Sequence, residues 1–318
     1  MSLSQFIINR ILNSNKETLS GKIQEKFFRT VRDILYEGKK TLITYDLNGK
    51  NIILPVVHDL PLNKKLFPLY SDNLGRIAFY LISKYDDLKV IDIGANVGDS
   101  VFIIKSKADV PVLCIEGNDY FYSILEKNVS GWNDVFMVKS FIGDKTESRA
   151  GYLFSKGSGR IRETEDSKEN ISFDSLSDIV KQNPAFENAK LIKIDTDGFD
   201  CRIIRDSLGY FNKSKPVIFF EYDPFLLQQL KDDGLSVFDA LSGAGYDTVM
   251  FYDNNGDYLL TSEINLENII KDIHYYYSGR NIEHYCDICV FHKEDSDIAG
   301  RIRDEELKFF AERRNYKI

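Results

Sequence analysis

The spacing of hydrophobic positions changes near residue 88. Beyond it, short and nearly all-apolar runs alternate with segments whose apolar positions recur as they do on one face of a helix. Short apolar strands separated by helices are typical of parallel strands that are covered on both faces, so the pattern predicts an α/β fold. Helices are predicted at 99–107, 118–129 and 199–208. The predicted strands are 89–93, 111–115, 134–140, 190–195, 216–221, 245–252 and 285–292.

The part of the chain before residue 86 has a different pattern. Residues 22–37 have helical spacing, and residues 73–84 predict a second helix. Between them, residues 40–57 predict a β-hairpin that turns at Asn48-Gly49, because both residues tolerate the positive φ of a tight turn. The apolar stripe of the first helix consists of Phe27, Phe28, Val31, Ile34 and Leu35.

These patterns divide the chain into three parts. We expect residues 1–85 to form an N-terminal helical and β-hairpin cap rather than an independent domain. Residues 86–296 then form the main domain, and residues 297–318 form a charged C-terminal helix.

Composition narrows the class of protein. The 318 residues are 43% hydrophobic and 28% charged, which is ordinary for a soluble globular protein. The net charge of −8 argues against a nucleic-acid partner, which normally demands a basic surface. No apolar run approaches the roughly 20 residues of a membrane span, and the N-terminus has no signal-peptide pattern. Four cysteines form no disulfide scaffold, so we expect a reducing, cytoplasmic location.

The stretch VIDIGANVGDS, residues 90–100, is a strand followed by a glycine-containing loop. Gly94 and Gly98 allow a tight turn and a close approach of a ligand to the main chain. A dinucleotide fingerprint has the spacing G-x-G-x-x-G, whereas this loop is D-x-G-x-N-x-G. Asp92 and Asp99 would repel a pyrophosphate but attract the sulfonium and ammonium groups of S-adenosylmethionine (SAM). Glu116, about 20 residues further on, suits a ribose diol.

Several motifs in their order resemble the FkbM-family methyltransferases: VIDIGANVGDS (90–100), CIEGN (114–118), FIGD (141–144), ISFDSL (171–176), LIKIDTDGFD (191–200) and VIFFE (217–221). The resemblance covers roughly residues 85–292. It implies a class I, Rossmann-like SAM-dependent methyltransferase with a seven-stranded sheet whose last strand is antiparallel, and O-methylation, often of sugar hydroxyls. Thr196-Asp197 departs from the family, which usually has a hydrophobic residue and Glu at these positions.

The loop and these motifs predict a SAM site. We expect it to be formed by residues after the first three strands of the main domain. The predicted cofactor-binding residues are Asp92, Gly94, Asn96, Gly98, Asp99, Glu116, Gly117, Asn118, Phe141 and Asp144.

Carboxylates at the ends of two later strands are the candidate catalytic groups. A sugar hydroxyl is a weak nucleophile, and a positioned base accelerates its reaction. We expect Asp195 or Asp197 to orient or deprotonate the acceptor hydroxyl, with Glu221 in support. The alternatives are that Asp197 or Asp200 caps the following helix, or that His284 is the base. A further alternative is that the clustered carboxylates hold a divalent cation, although the sequence has no strong ligand spacing for one, and we predict no metal site.

Two further motifs have structural and functional interpretations. HYCDICVFH (284–292) has the composition of a zinc knuckle, but Cys286 and Cys289 would point to opposite faces of a strand. SKGSGRIRE (155–163) is a predicted loop, which is either solvated or a mobile lid whose Arg160 or Arg162 contacts an anionic acceptor.

The sequence therefore predicts a SAM-dependent O-methyltransferase that acts on a sugar of a bacterial surface glycan or a glycosylated metabolite. The alternatives are a nicotinamide-dependent oxidoreductase with the same type of sheet and a SAM-binding protein without turnover. The partner is a small-molecule or glycan acceptor. The oligomeric state stays open, a homo-oligomer included.

Overall fold

The computed structural model describes residues 1–36, 38–144, 148–156, 158–163, 170–280 and 284–313, with the backbone alone for the described residues of 148–171. The N-terminal part begins with two helices, a β-hairpin and two further helices. These are α1 (Leu3–Leu12), α2 (Leu19–Tyr36), β1 (Leu42–Leu47), β2 (Lys50–Pro55), α3 (Leu60–Leu66) and α4 (Asp72–Leu81). The hairpin is antiparallel and turns at Asn48-Gly49, where both residues have positive φ, as predicted.

The rest of the chain alternates between strands and helices. Its first half contains β3 (Val90–Ile93), α5 (Asp99–Lys105), β4 (Val112–Ile115), α6 (Asp119–Val129), β5 (Val135–Val138), β6 (Phe141–Ile142), β7 (Ser148–Lys156), β8 (Ser158–Glu163), β9 (Asn170–Asp174), α7 (Leu176–Gln182) and a 3₁₀ turn at Pro184–Phe186. Its second half contains β10 (Leu191–Ile194), α8 (Asp200–Asp206), α9 (Leu208–Ser214), β11 (Val217–Tyr222), α10 (Pro224–Gln229), α11 (Ser236–Gly243), β12 (Tyr246–Asp253), β13 (Tyr258–Glu263), α12 (Glu267–Ser278), β14 (Cys286–His292), a 3₁₀ turn at Lys293–Asp295 and α13 (Ser296–Arg313).

The central sheet has the strand order β13-β12-β14-β11-β10-β3-β4-β5. The five strands from β11 to β5 are parallel, and β14 runs antiparallel between β11 and β12. The predicted α/β class and the antiparallel last strand are therefore confirmed. The predicted number of seven strands is wrong, because the chain turns after Asp253 and returns along β12 as an eighth strand, β13.

Helices cover both faces of this sheet, as its apolar strands require. Successive residues of a strand point to opposite faces, and the buried core is accordingly divided in two. Ile91 and Ile192 belong to one cluster, whereas Val90 and Leu191 belong to the other. The apolar residues of the central strands are thus buried on both sides.

The predicted loop over 155–163 is wrong. Residues 158–163 form β8, which pairs antiparallel with β7 in a smaller four-stranded sheet of the order β6-β9-β7-β8. The side chains of Arg160 and Arg162 lie outside the described part of the chain, so their proposed contact with an acceptor stays a prediction.

The N-terminal segment packs onto the main domain through a third core cluster. Ile7 of α1 and Leu54 of β2 share this cluster with Phe102 of α5 and Phe121 of α6. The arrangement supports the interpretation of the segment as a cap, although the domain boundaries themselves stay predictions. Within the described residues, no helix is long and apolar enough to cross a membrane.

The predicted apolar stripe of α2 is only partly buried. Phe28 and Val31 are half-buried against the third cluster. Phe27 and Ile34, in contrast, are exposed to 59% and 76%. The stripe is therefore divided between the core and solvent, because the side of α2 that carries Phe27 and Ile34 faces outward.

Candidate active site

A cleft opens at the carboxyl ends of β3, β4 and β10. The chain runs outward from β3 to β4 and β5 in one direction and continues with β10 and β11 in the other, so β3 borders the topological switch point where α/β sheets bind ligands. The cleft encloses about 620 Å³, part of it open to solvent. The predicted site residues that line it are Gly94, Asn96, Glu116, Gly117, Phe141, Asp195 and Asp197.

The loop after β3 brings the main chain close to the cleft. Gly94 has a φ of +76°, and a side chain there would overlap the carbonyl oxygen of Asp195 on the neighbouring strand end. Asn96 has a φ of +47°. Its buried Oδ1 has no hydrogen-bond partner among the described residues, although Asn96 lines the cleft. A buried acceptor of this kind normally has a partner, which indicates a ligand donor.

Glu116 ties this loop to the end of β4. Its Oε2 accepts a hydrogen bond from the Asn96 N–H at 2.9 Å, and its Oε1 accepts one from the Asn118 N–H at 2.7 Å. Burial raises the pKa of Glu116, and the two main-chain donors oppose that shift. Each carboxylate oxygen has a second lone pair, so Glu116 retains acceptor capacity for ligand hydroxyls.

The other predicted residues near the end of β4 and after β5 differ in their relation to the cleft. The Asn118 side chain caps α6 by accepting from the N–H groups of Tyr120 and Phe121. The Phe141 ring packs so closely on Gly117 that any side chain at 117 would displace it. Asp144 is exposed and does not line the cleft.

Asp92 and Asp99 also lie outside the cleft lining. Asp92 is fully buried within β3, opposite Lys193 in the register of β10, and its Oδ1 lies 3.2 Å from Lys193 Nζ. Burial raises the pKa of Asp92, and the Lys193 charge opposes that shift. Asp99 is the first residue of α5, which begins after Gly98, and burial raises its pKa as well.

Sequence reasoning missed Lys193. Its buried ammonium lies 3.3 Å from Asp195 Oδ2 and donates to the Gly94 carbonyl at 3.1 Å, in addition to pairing with Asp92. Burial alone would lower the pKa of Lys193, but the carboxylates of Asp195, Asp92 and Asp99 outweigh burial and raise it. A lysine within the apolar strand LIKI was the available signal, since a buried lysine is almost always paired.

The loop after β10 presents its carboxylates in two ways. The Asp195 side chain lines the cleft and is 48% exposed. Asp197 also lines the cleft, and its backbone has a φ of +53°. Asp200 instead is buried and accepts from the N–H groups of Thr196 and Gly198, each at 3.1 Å. Burial and the nearby Asp195 raise the pKa of Asp200 to about 7. Asp200 thus holds the loop that leads into α8. It does not cap the helix as its structural alternative had it, because its carboxylate accepts from residues before the helix and α8 has no side-chain cap hydrogen bond.

Glu221 belongs to a second polar group. It lies near the end of β11, which is next to β10 on the side away from β4, so Asp195 lies between Glu221 and Glu116 in the sheet order. Glu221 is opposite Asp287 in the register of β11 and β14. Burial raises the pKa of Glu221 well above its ordinary value, and the charges of Asp195, Asp200 and Asp197 add to the shift.

The N-terminal cap completes this second group. Asn73 of α4 donates from Nδ2 to Asp287 Oδ2 at 2.9 Å, and Tyr70 hydrogen-bonds with Tyr285. Burial raises the pKa of Asp287 to about 7, while the Asn73 hydrogen bond opposes the shift. We call Tyr70, Asn73, Glu221, Tyr285 and Asp287 the acceptor edge. Sequence reasoning missed all of them except Glu221, although Asp287 stands out as an acid in an apolar strand.

The cysteine motif is structural. Cys286 and Cys289 are buried in the core clusters on opposite faces of the sheet, as predicted. His284, the alternative base, is exposed just before β14. Among the described residues, no three His, Cys, Asp or Glu side chains are grouped to hold a metal ion.

The strand order defines the class of fold. Without β13, the sheet has the order and the single antiparallel strand of class I SAM-dependent methyltransferases. No protein-family model matches the chain. No curated protein matches it either.

Solved structures of methyltransferases are similar to the chain at low identity. The METTL16 methyltransferase domain is 13% identical over 90% of this chain and 91% of its own, with a TM-score of 0.46. An O-methyltransferase from Bacillus cereus in complex with SAH is 14% identical over 74% and 88%, with a TM-score of 0.38. The methyltransferase FkbM from Methylobacillus flagellatus KT is 17% identical over 52% and 40%, with a TM-score of 0.37.

Proposed function

We propose that this chain is a SAM-dependent O-methyltransferase of the FkbM family, which acts on a sugar hydroxyl of a glycan or a glycosylated metabolite. The observation that carries the proposal is the buried carboxylate of Glu116 at the end of β4. Two main-chain N–H groups hold it in place beside the glycine loop at the switch point.

The residues of the cleft fit SAM. Glu116 has free lone pairs for the two ribose hydroxyls. The unpartnered Oδ1 of Asn96 accepts one further N–H or O–H of the cofactor. Gly94 has no side chain to keep a ligand away from the main chain. Phe141, packed on Gly117, provides an apolar wall for the adenine.

The charges near the loop favour a cation over a pyrophosphate. A dinucleotide would place its pyrophosphate at the N-terminus of α5. Asp99 is the first residue of that helix, and Asp195 lines the opposite wall. Two carboxylates beside a doubly charged pyrophosphate are unfavourable, whereas they attract a sulfonium and an ammonium group. This observation favours SAM over the nicotinamide alternative.

Bound SAM would supply an electrophilic methyl group. The residues of the protein would orient the acceptor hydroxyl and accept its proton. Asp195 and Asp197 lie in the cleft where an acceptor hydroxyl can reach them, so either carboxylate can orient the hydroxyl and accept its proton. The Lys193 ammonium holds Asp195 in position. Burial and the nearby carboxylates raise the pKa of Glu221, which favours its protonated form, and in that form its carboxyl group can donate a hydrogen bond to the acceptor.

The acceptor edge supports a polyhydroxylated acceptor. Tyr70 and Tyr285 add hydroxyl groups to the carboxyl groups of Glu221 and Asp287, and the buried Asn73 amide holds Asp287 in place. Such groups both donate and accept hydrogen bonds, as recognition of a sugar requires. The raised pKa values of both acids reduce the negative charge at this edge, which favours a neutral acceptor over a cationic one.

Titration calorimetry tests the cofactor. We expect SAM and its demethylated product to bind to the full chain, and NAD not to bind. Glu116→Gln should weaken SAM binding by about 10- to 100-fold, because a hydrogen bond to a charged group contributes roughly 1.5–3 kcal/mol. Glu126→Gln is the matched control, since Glu126 is exposed on α6. Tight binding of NAD without SAM binding would refute the proposal.

Transfer of a labelled methyl group from SAM to sugars tests the reaction. Asp195→Asn and Asp197→Asn should slow transfer and leave SAM affinity within about threefold, since a positioned base contributes roughly 10²–10⁴-fold to rate. If neither substitution slows transfer, the catalytic assignment is wrong even if SAM is the cofactor. SAM binding without transfer to any sugar would support the non-catalytic alternative.

A further inference from the structure

Helix α2 turns an apolar face to solvent. Four side chains on it are strongly exposed: Leu19 to 76%, Ile23 to 61%, Phe27 to 59% and Ile34 to 76%. At 3.6 residues per turn, they fall within an arc of about 80° and extend over about 22 Å of the helix. We call these four residues the α2 face. A contiguous exposed apolar stripe is uncommon on a monomer and marks an interaction surface.

Contacts on the opposite side fix this orientation of α2. Gly21 is buried, and a side chain there would overlap the main chain at Asn15. The Phe28 ring makes an edge-to-face contact with Phe6 of α1, with 6.1 Å between centroids. Glu25 forms an ion pair with Lys65 of α3 at 2.7 Å. The helix therefore cannot bury the α2 face by rotating.

A basic edge runs along the α2 face. Lys22, Lys26 and Arg29 follow one another on the adjacent side of the helix, and with Lys16 they line a surface cleft of about 930 Å³, part of it open to solvent. The two acids of this cleft are already paired, Glu25 with Lys65 and Asp33 with Arg32. Within the described part of the chain, neither Lys22 nor Lys26 forms an ion pair. The edge is cationic in a chain whose net charge is −8.

We propose that α2 binds in the plane of an anionic lipid bilayer, with the α2 face in the acyl boundary and the basic edge against lipid phosphates. Helices of this type have an apolar face flanked by Lys and Arg, and anionic headgroups attract such cations. The helix lies on the membrane and does not span it, since none of the described helices is apolar enough to do so.

A second copy of the chain fits the α2 face less well. A strip of about 22 Å by 10 Å has a footprint of roughly 200 Å², whereas a stable interface buries about 800 Å² on each partner. In an antiparallel two-fold pairing, moreover, the basic edge of one α2 would meet the same edge of the other. Lys22 and Lys26 would then be repelled by their own copies.

Vesicle flotation of the full chain tests this proposal. We expect the protein to float with vesicles of equal parts phosphatidylcholine and phosphatidylglycerol, and to remain unbound with phosphatidylcholine alone. Added salt should weaken binding, because it screens the basic edge. The double variant Phe27→Ser/Ile34→Ser should lose about tenfold or more in affinity through lost apolar burial. Lys22→Glu/Lys26→Glu should lose a similar factor through charge reversal.

Exposed residues elsewhere provide matched controls. Phe79→Ser changes an aromatic side chain on α4 that is 51% exposed, and Arg301→Glu reverses an exposed charge on α13. Both should float as the native chain does. The α2 variants should keep the native circular dichroism spectrum and denaturation midpoint, since the altered side chains face solvent.

Three outcomes would overturn the proposal. The native chain does not float with anionic vesicles, or Phe27→Ser/Ile34→Ser floats as well as the native chain. The third outcome is that the native chain binds no vesicles and forms a dimer in solution, whereas Phe27→Ser/Ile34→Ser is a monomer. That result would assign the α2 face to a second copy of the chain.

Discussion

Replacement of Lys193 by Met removes the central cation of the candidate site and keeps a side chain of similar length. The ammonium pairs with Asp92 Oδ1 at 3.2 Å and with Asp195 Oδ2 at 3.3 Å. Asp92 is fully buried, so the variant leaves its charge without compensation. Asp195 is about half exposed, and water replaces most of its interaction. The cost of Lys193→Met therefore comes chiefly from Asp92.

The magnitude follows from that geometry. At 3.2 Å and an effective dielectric constant of about 20, one ion pair is worth about 5 kcal/mol. Removal of one partner of a buried pair costs roughly 3–5 kcal/mol. We expect a value near the lower end, about 3 kcal/mol, because Asp92 can take up a proton instead of remaining charged. Its pKa is already raised by burial in the native protein.

Chemical denaturation followed by circular dichroism measures this loss. Without Lys193, the folded-state pKa of Asp92 lies further above its unfolded value, so the folded variant holds the proton more tightly than the unfolded chain does. The variant therefore loses stability as the pH rises from the unfolded-state pKa of Asp92 through its folded-state pKa. Its deficit relative to the native protein should be larger at about pH 8 than at about pH 5. Asp92→Asn in the Lys193→Met background should recover part of the stability.

The control for this experiment is Lys181→Met. Lys181 pairs with Asp178 at 2.9 Å on the surface of α7, and its side chain is 74% exposed. Its loss should change the free energy of unfolding by less than about 0.5 kcal/mol. The reasoning is refuted if Lys193→Met destabilises by less than about 1 kcal/mol near pH 8, or if Asp92→Asn recovers none of the loss.

Two further substitutions test the loop after β3 and the acceptor edge. Gly94→Ala should weaken SAM binding, measured by calorimetry, by at least about tenfold. The left-handed backbone at this position costs a non-glycine residue roughly 1–2 kcal/mol, and the new methyl group would overlap the Asp195 carbonyl. Asp287→Asn should flatten the pH dependence of stability. The pKa of Asp287 is raised to about 7 in the folded protein, so the native chain loses stability as the pH rises from about 4 to 7, and a neutral side chain removes that contribution.

Controls for both substitutions come from positions with open surroundings. Gly131 has no atom within 4 Å of an added Cβ, so Gly131→Ala should leave SAM affinity unchanged. Asp304→Asn on the exposed side of α13 should leave the pH profile of stability unchanged. Native affinity in Gly94→Ala would contradict the close approach of the loop to β10. A native pH profile in Asp287→Asn would contradict the raised pKa.

Local patterns in the sequence were sufficient for the fold class. The spacing of apolar residues determines whether a segment forms a strand or a helix, so the parallel strands and the glycine loop could be predicted from short stretches. The turn at Asn48-Gly49 and the opposite faces of Cys286 and Cys289 follow from backbone geometry in the same way. The eighth strand escaped prediction, because residues 258–263 have no strong apolar alternation and pair with β12 through the tight turn before them.

Contacts between distant parts of the chain required the tertiary structure. Only the register of β3 and β10 places Lys193 beside Asp92, since a shift by one residue would turn the lysine to the other face. The hydrogen bond between Asn73 and Asp287 joins residues 214 positions apart, and no local pattern relates them. The solvent-facing side of α2 likewise depends on which of its two apolar sides packs against α1. Local patterns thus predict most of the central strands, several helices and the glycine loop, whereas packing and strand register determine which side chains meet.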